Sequence, residues 1–150
     1  MGRYLNKNNY LIDLARSART DFGRIAFSKQ DEIQKVFSAI WALESEVNNG
    51  GFLQYFGNNS GETANFAPTA LRRIGANRCA FIVEQAIKSI SANPVPDSRD
   101  ARQRILDSLG KAARAKLADL DKQFFAYPDN LTDLLFEYVR AHSQVFGAVE

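Results

Sequence analysis

Four carboxylic acids have the type and spacing that could support chemistry. Asp31 and Glu32 are adjacent, and Glu44 and Glu46 follow in one apolar helical segment. Paired carboxylates can act as general acid and base or can ligate a hard metal ion. Two positions apart on a helix, however, side chains point about 160 to 200 degrees apart, so Glu44 and Glu46 cannot form a dyad, and one of them should face the core. We interpret the four acids as a protein-binding surface.

The other reactive side chains favour structural roles. Cys79 is the only cysteine and His142 the only histidine, so one chain can form neither a disulfide nor a Cys/His zinc site. Cys79 lies in an apolar helical run and should be a buried thiol, and His142 should be a partly buried structural residue. Gly50-Gly51 lacks the Gly-Lys-Ser/Thr ending of a phosphate loop. The sequence therefore predicts no enzyme, no cofactor and no metal site, and an enzyme of unrecognised type is the last alternative.

The length and composition limit the class of protein. A chain of 150 residues with 45% hydrophobic and 24% charged residues is typical of one globular domain, which we assign to residues 1–150. No apolar run approaches the roughly 18 residues that cross a bilayer, and residues 1–9 have no apolar signal core. We expect a cytoplasmic protein with no membrane partner.

Charge is distributed unevenly along the chain, although the formal net charge is only +2. Residues 25–62 contain two bases and five acids, residues 63–116 contain ten bases and four acids, and residues 117–150 contain two bases and six acids. The basic block could follow a phosphate backbone. Its cations are Arg72, Arg73, Arg78, Lys88, Arg99, Arg102, Arg104, Lys111, Arg114 and Lys116. A basic nucleic-acid-associated domain that uses residues 72–116 is therefore the alternative to a protein-binding domain.

Apolar residues recur at spacings of three and four along the whole chain, whereas alternating strand patterns are nearly absent. This periodicity predicts an all-α fold, a single compact domain of seven or eight short to medium helices. The first helix should cover residues 4–20. Its apolar stripe includes Leu11, Leu14, Ala18 and Phe22, and Gly23 should close it.

The second predicted helix leads to a sharp corner. Ser28 is the candidate N-cap, and the helix should end near Asn48 or Asn49 because Gly50 can adopt the left-handed conformation that closes a helix. A short helical segment from Phe52 to Phe56 should follow.

The later helices have weaker boundaries. Pro68 should lie in the first turn of a helix that closes at Gly75, and Asn77 should cap the next helix, whose broad apolar surface predicts the centre of the core. Asp97 should cap a helix after the proline-rich linker, with the stem of Arg102 on its apolar stripe. Residues 127–130 should form a turn before the last helix.

Residues 48–61 can be explained by structure alone. Asn48-Asn49-Gly50-Gly51 would end a helix, and Phe52, Tyr55 and Phe56 would pack into the core. The polar side chains of Gln54 and Asn58 would then bond backbone groups freed by the two turns.

The same stretch resembles the signature of a bacterial all-helical domain family of unknown function that is typified by a DNA-mimic protein. The motif is Glu46-Val-Asn-Asn-Gly-Gly-Phe-x-Gln-Tyr-Phe-x-Asn-x-Ser-Gly61. Its matching positions in this chain are Asn48, Asn49, Gly50, Gly51, Phe52, Gln54, Tyr55, Phe56, Asn58, Ser60 and Gly61. Segments 70–76 and 136–142 also resemble the family, which extends the resemblance to about residues 28–146.

The resemblance implies an all-α fold, no enzymatic activity and no cofactor. In the typifying member an acidic surface imitates the phosphate backbone and occupies the DNA-binding site of a transcription regulator, and the mimic acts as a dimer. For this chain it implies a non-enzymatic domain that binds, inhibits or regulates a DNA-binding or other basic protein, and it allows a homodimer. Mimicry requires the acids of residues 31–62 and 129–150 to gather on one side.

Overall fold

The computed structural model describes residues 6–16 and 25–147, which contain eight α-helices and no β-strand. The prediction of an all-α compact domain is confirmed. The helices are α1 (Lys7–Ala15), α2 (Glu32–Gly57), α3 (Ala67–Arg73), α4 (Asn77–Ser89), α5 (Arg99–Asp107), α6 (Lys111–Phe125), α7 (Leu131–Ala141) and α8 (Ser143–Phe146). Short 3-10 helices cover Phe27–Lys29 and Asn59–Thr63. None of the helices in the described ranges is long and apolar enough to span a membrane.

Helix α2 is the centre of the fold and contacts α3, α5, α6 and α8. It begins with a capping box, in which the Asp31 side chain accepts a hydrogen bond from the Gln34 amide at 2.8 Å and the Gln34 side chain accepts one from the Asp31 amide at 3.2 Å. The prediction that Ser28 is the N-cap is wrong. Ser28 lies in the preceding 3-10 helix, and the extended backbone of Gln30 separates that helix from α2.

A kink at Gly50 and Gly51 divides α2 into two helical segments. The predicted corner is confirmed, but the left-handed residue is Gly51, with φ of +76°, whereas Gly50 has φ of −156°. The short segment after the kink buries the side chains of Phe52, Tyr55 and Phe56 completely, as predicted. The kink therefore turns a row of aromatic side chains into the core.

Helix α1 is shorter than the predicted residues 4–20, because Arg16 has non-helical backbone angles and forms its C-cap. Leu11 and Leu14 are buried as the apolar stripe predicts. The predicted contributions of Ala18, Phe22 and Gly23 lie outside the described residues.

Helix α4 differs from the prediction at its start and in its position. Asn77 is its first residue and does not cap it; the amide of Cys79 instead donates a 2.8 Å hydrogen bond to Asp129 in the turn before α7. The broad apolar surface does not mark the centre of the core, because Phe81 is 59% exposed. Periodicity counts apolar residues but does not show which of them a neighbouring helix covers.

The N-cap of α5 is Ser98 and not Asp97, because the Ser98 hydroxyl accepts the hydrogen bond from the Ala101 amide at 3.2 Å. Other boundaries agree with the sequence. Pro68 lies in the first turn of α3, and Gly75, with φ of +86°, follows its end.

Candidate functional site

The site of interest lies where the kink of α2 meets the C-terminal half of α6. The Asp121 carboxylate accepts a 2.8 Å hydrogen bond from the Phe52 amide, and the Tyr127 hydroxyl reaches Glu44 about two turns earlier on α2. Since residue 121 meets residue 52 and residue 127 meets residue 44, the two helices run antiparallel here. The Phe52 and Phe124 rings pack edge to face, with centroids 6.1 Å apart, and anchor this contact in the core.

The kink and Asp121 depend on each other. A Cβ atom at Gly51 would collide with the Asp121 carboxylate, lying only 2.8 Å from its Cγ. The positive φ of Gly51 is also unfavourable for any residue with a side chain. In return, Asp121 satisfies an amide that the kink removes from the helical hydrogen-bond ladder. Burial raises the pKa of Asp121, and its bond to the Phe52 amide opposes that shift.

Glu46 is held by the polar side chains that follow the kink. Its Oε2 atom accepts hydrogen bonds from the Gln54 amide group at 2.6 Å and from the Asn58 amide group at 3.1 Å. The prediction that Gln54 and Asn58 bond freed backbone groups is therefore wrong. An ionised carboxylate is a stronger acceptor than a backbone carbonyl, and the kink brings it within reach of both amides.

Glu44 belongs to a second hydrogen-bonded group on the same stretch of α2. The Tyr127 hydroxyl donates to Glu44 Oε2 at 2.7 Å, and the Asn48 side chain donates to the Tyr127 oxygen at 2.6 Å. Burial raises the pKa of Glu44, while its bond to Tyr127 opposes the shift. Burial and Glu44 together raise the pKa of Tyr127 to about 12, so this hydroxyl remains a donor at neutral pH.

Glu44, Glu46 and Asp121, which we call the acidic corner, have similar surroundings, although Glu44 and Glu46 are two positions apart on one helix and point to different sides of it. Each side chain is half-buried, and in each one carboxylate oxygen accepts the hydrogen bonds described above. Within the described residues, the other oxygen of each has no protein donor, and none of the three forms a salt bridge. The fold therefore orients three carboxylates and leaves one acceptor oxygen on each.

The structure separates the four acids that the sequence groups together. Asp31 and Glu32 lie at the N-terminus of α2, about 18 Å along the helix axis from Glu44. Asp31 is used in the capping box, and Glu32 forms an ion pair with Arg73. Both Glu44 and Glu46 are half-buried, so the expectation that only one of them faces the core is too simple.

The rest of the motif surrounds a buried arginine. Arg102 is only 2% exposed, so its whole side chain is buried and not only its stem. Its guanidinium donates to the carbonyls of Phe56, Asn58, Pro96 and Asp97 at 2.7 to 3.0 Å. A Cβ at Gly61 would collide with this guanidinium and with the Phe56 carbonyl.

Two remaining motif residues have simpler roles. Ser60 donates a 2.9 Å hydrogen bond to the Tyr55 carbonyl, whereas Asn49 is exposed.

Nine of the ten cations in the predicted basic block are exposed, and five of these nine bond another part of the chain. Arg102 is buried, and Arg72 and Arg73 form ion pairs with Glu84 and Glu32. Three more donate to backbone carbonyls; these are Arg78, Arg99 and Arg114. The four exposed cations with no such bond are Lys88, Arg104, Lys111 and Lys116.

The predicted structural roles of the lone cysteine and histidine agree with the structure. Cys79 is buried, and burial raises the pKa of its thiol to about 12. His142 is half-buried, with Nδ1 2.8 Å from the Tyr138 carbonyl and its ring against the Tyr138 ring. No group of three or more His, Cys, Asp or Glu side chains in the described part of the chain could hold a metal ion.

Sequence reasoning missed Asp121, Tyr127 and Asp129, which complete the site from the second half of the chain. Asp121 carried one signal, because it lies beside the apolar stripe residues Leu117, Leu120 and Phe124 and so at the edge of a buried face. A carboxylate at such an edge needs a donor. Nothing local indicated that the donor is the Phe52 amide, 69 positions away.

The fold and site define an all-α domain organised around a kinked helix with carboxylates fixed at the kink. The family model described as DMP19-like protein matches residues 28–142, from the 3-10 helix before α2 to the end of α7, and the chain belongs to this family. The match includes residues 46–61 without singling them out, so their role as the family signature stays a prediction. No curated protein and no solved structure shows significant similarity to the chain.

Proposed function

We propose that this protein is a non-enzymatic protein-binding domain that inhibits or regulates a DNA-binding or other basic protein. The observation that carries the proposal is the geometry of the acidic corner, where Glu44, Glu46 and Asp121 each keep one oriented oxygen without a protein donor. Carboxylates that are already fixed can accept hydrogen bonds from Lys or Arg with little further loss of side-chain entropy.

The local charge supports a basic partner. No Lys or Arg occurs between Lys35 and Arg72, and residues 117–139 contain five acids and one lysine. Antiparallel packing brings the C-terminal half of α6, which holds Asp119, Asp121 and Lys122, against α2. We therefore expect acids to outnumber bases in this part of the surface, although the net charge of the chain is +2.

The raised pKa values of two of these acids also support a basic partner. Burial raises the pKa of Glu44 and of Asp121, and within the described residues neither carboxylate forms a salt bridge with a cation. A Lys or Arg side chain from a partner would supply that cation and favour both ionised forms. Family membership adds the expectation of a protein that imitates DNA phosphates. We extend the proposal to cytoplasmic action, as the hydropathy of the sequence predicts, and to a homodimer, as the family resemblance allows.

Affinity capture from the native host tests the proposal. Wild-type protein should retain a basic DNA-binding protein that added duplex DNA displaces. The double variant Glu44→Gln/Glu46→Gln keeps the hydrogen-bonding shape of both side chains but removes their charge, so retention should fall about tenfold or more. Mass spectrometry of the retained proteins measures the change.

The matched control is Asp100→Asn/Asp107→Asn, which removes the same charge from two exposed acids of α5. Equal loss of capture in both double variants, or an unchanged set of partners in the first, would contradict the proposal. Direct titration of wild-type protein with duplex DNA is the second control. Micromolar binding at low salt that fades steeply with added salt would favour the basic block instead.

A further inference from the structure

Helix α4 presents an exposed aromatic ring that two grooves share. Phe81 is 59% exposed, the largest value among the exposed large hydrophobic side chains of the described residues, and it lines both grooves. One groove, of about 650 Å³, lies between α3 and α4, and the other, of about 530 Å³, lies between the start of α4 and the end of α6. A projecting apolar ring with grooves beside it is suited to pack against another helical surface, ridge into groove.

The exposed face of α4 is centred on this ring. Positions three and four residues before and after Phe81 share its face of the helix. These positions hold Asn77, Arg78, Glu84 and Gln85, so an amide and a cation before the ring are matched by an acid and an amide after it. The face is therefore complementary to a second copy of itself.

A two-fold contact between two α4 helices would use this order. When the helices run antiparallel and the two Phe81 rings meet at the two-fold axis, the residue three positions before the ring lies level with the residue three positions after it in the other copy. Arg78 of each copy then lies level with Glu84 of the other, and Asn77 with Gln85. Opposite charges therefore meet twice in one contact.

Both members of this charge pair can make the contact. The Glu84 carboxylate accepts two hydrogen bonds from Arg72, at 3.1 and 2.6 Å, which leaves about half of its acceptor positions open. Within the described residues, Arg78 donates one hydrogen bond, a long one of 3.5 Å to the Pro128 carbonyl. A second copy would give Arg78 a carboxylate in place of this weak bond.

The remaining charges near this face do not prevent the contact. Lys88 also lines a groove, but it lies seven positions from Phe81, so the two copies would hold their Lys88 residues about 21 Å apart along the helix axes. That distance exceeds the screening length of about 8 Å at physiological salt. Lys122 and Asp129 are sequence neighbours of residues that line the second groove, and their charges are opposite.

We propose that the exposed face of α4 is the contact surface of a homodimer, in which Phe81 of each copy packs into the grooves beside α4 of the other. The inference rests on the homodimer of the proposed function and adds the surface that forms it.

Sedimentation of the full chain at about 1 to 100 μM tests the inference. Wild-type protein should show a monomer–dimer equilibrium in this range. Phe81→Ser should weaken the dimer by about tenfold or more, because it removes the central aromatic contact. Phe125→Ser should leave it unchanged, because Phe125 is 47% exposed but lines neither groove.

Charge reversal tests the antiparallel arrangement. Arg78→Glu alone would bring two acids together at each charge pair, and Glu84→Lys alone would bring two bases together, so each variant should dimerise at least about tenfold more weakly than wild type. An equimolar mixture of the two variants should recover the dimer, because both charge pairs of the mixed dimer then join an acid and a base. Circular dichroism checks that each variant keeps its helical content.

The outcomes separate the two proposals. A protein that stays monomeric at about 100 μM, or a dimer that Phe81→Ser leaves unchanged, would overturn the inference. A mixture of the charge variants that stays as weak as its components would overturn the antiparallel α4 contact and with it the inference. Capture of a basic partner is decided separately by Glu44→Gln/Glu46→Gln, so the proposed protein-binding function can stand or fail without the dimer.

Discussion

At the scale of single residues, Gly51 and Asp121 explain why the corner has its form. Gly51 supplies a left-handed backbone, and the space beside it is filled by the Asp121 carboxylate. The Asp121 carboxylate in turn accepts a 2.8 Å hydrogen bond from the Phe52 amide. A glycine is therefore required for two independent reasons, the sign of φ and the absence of room for a Cβ.

Gly51→Ala should destabilise the protein by about 2 to 4 kcal/mol, because it adds backbone strain and displaces Asp121 from the Phe52 amide. Gly75→Ala is the matched control. Gly75 has a similar φ of +86°, but a Cβ there would meet nothing within 4 Å, so only the backbone strain of about 1 kcal/mol should appear. Urea unfolding measures both. Equal losses would show that the contact between Gly51 and Asp121 contributes nothing.

The pKa of Glu44 predicts how stability changes with pH. Burial raises this pKa in the folded protein above its ordinary value of 4.5, so folding favours the protonated form. Its stabilising contribution is complete below pH 4.5 and is lost as pH rises through the folded pKa. Glu44→Gln, which is neutral at every pH, should therefore match wild type near pH 4 and be the more stable protein near pH 7.

Urea unfolding at several pH values between about 4 and about 8 measures this difference. Asp13→Asn removes an exposed carboxylate of α1 and serves as the control. A free-energy difference between Glu44→Gln and wild type that stays constant with pH would rule out the proposed titration of Glu44.

At the scale of elements, α5 is attached to the end of α2 by guanidinium groups. The last carbonyls of α2 and its C-cap carry the negative end of the helix dipole. Arg102 donates to the carbonyls of Phe56 and Asn58, and Arg99 donates to that of Gly57 at 3.0 Å. The two arginines therefore bond the carbonyls at the end of α2 that follow Tyr55, whose own carbonyl accepts the Ser60 hydroxyl.

Arg102→Lys should reduce the free energy of unfolding by about 2 to 4 kcal/mol, because an ammonium group cannot bond four carbonyls in the same geometry and the buried acceptors lose their donors. Arg104→Lys, at an exposed position of the same helix, should cost less than about 0.5 kcal/mol. Hydrogen exchange should also become faster in α5 and in residues 57–63. Equal protection in both variants would show that Arg102 does not hold α5 in place.

The elements also show how far sequence reasoning reaches. The Asn-Gly-Gly corner and the buried face of Phe52, Tyr55 and Phe56 were predictable, because both follow from local rules of backbone conformation and periodicity. The hydrogen-bond partner of Glu44 and Asn48 was not predictable, because Tyr127 comes within reach of them only after α6 packs against α2. The predicted cap of α4 was wrong for the same reason, because the Cys79 amide bonds the distant Asp129 and not the side chain of the neighbouring Asn77.

At the scale of the whole molecule, folding redistributes charge relative to the sequence. Two cations of the basic block of residues 72–116, Arg72 and Arg73, form ion pairs with acids, and Arg102 is removed from the surface. Asp121, from a later segment, accepts a hydrogen bond from the Phe52 amide just after the kink of α2. The net charge of the chain therefore does not describe the charge of any one part of its surface.

The bond between Asp129 and the Cys79 amide has a consequence for how the chain is completed during synthesis. The Cys79 amide at the start of α4 bonds Asp129, which lies 50 positions later in the chain. The Phe52 amide at the kink of α2 bonds Asp121, which lies 69 positions later. Helices α1 and α2 are capped locally at their starts, but the Phe52 and Cys79 amides have these partners only once α6 and the following turn have packed against the first half. We therefore expect a chain that ends before α6 to leave the kink of α2 and the start of α4 without these two hydrogen bonds.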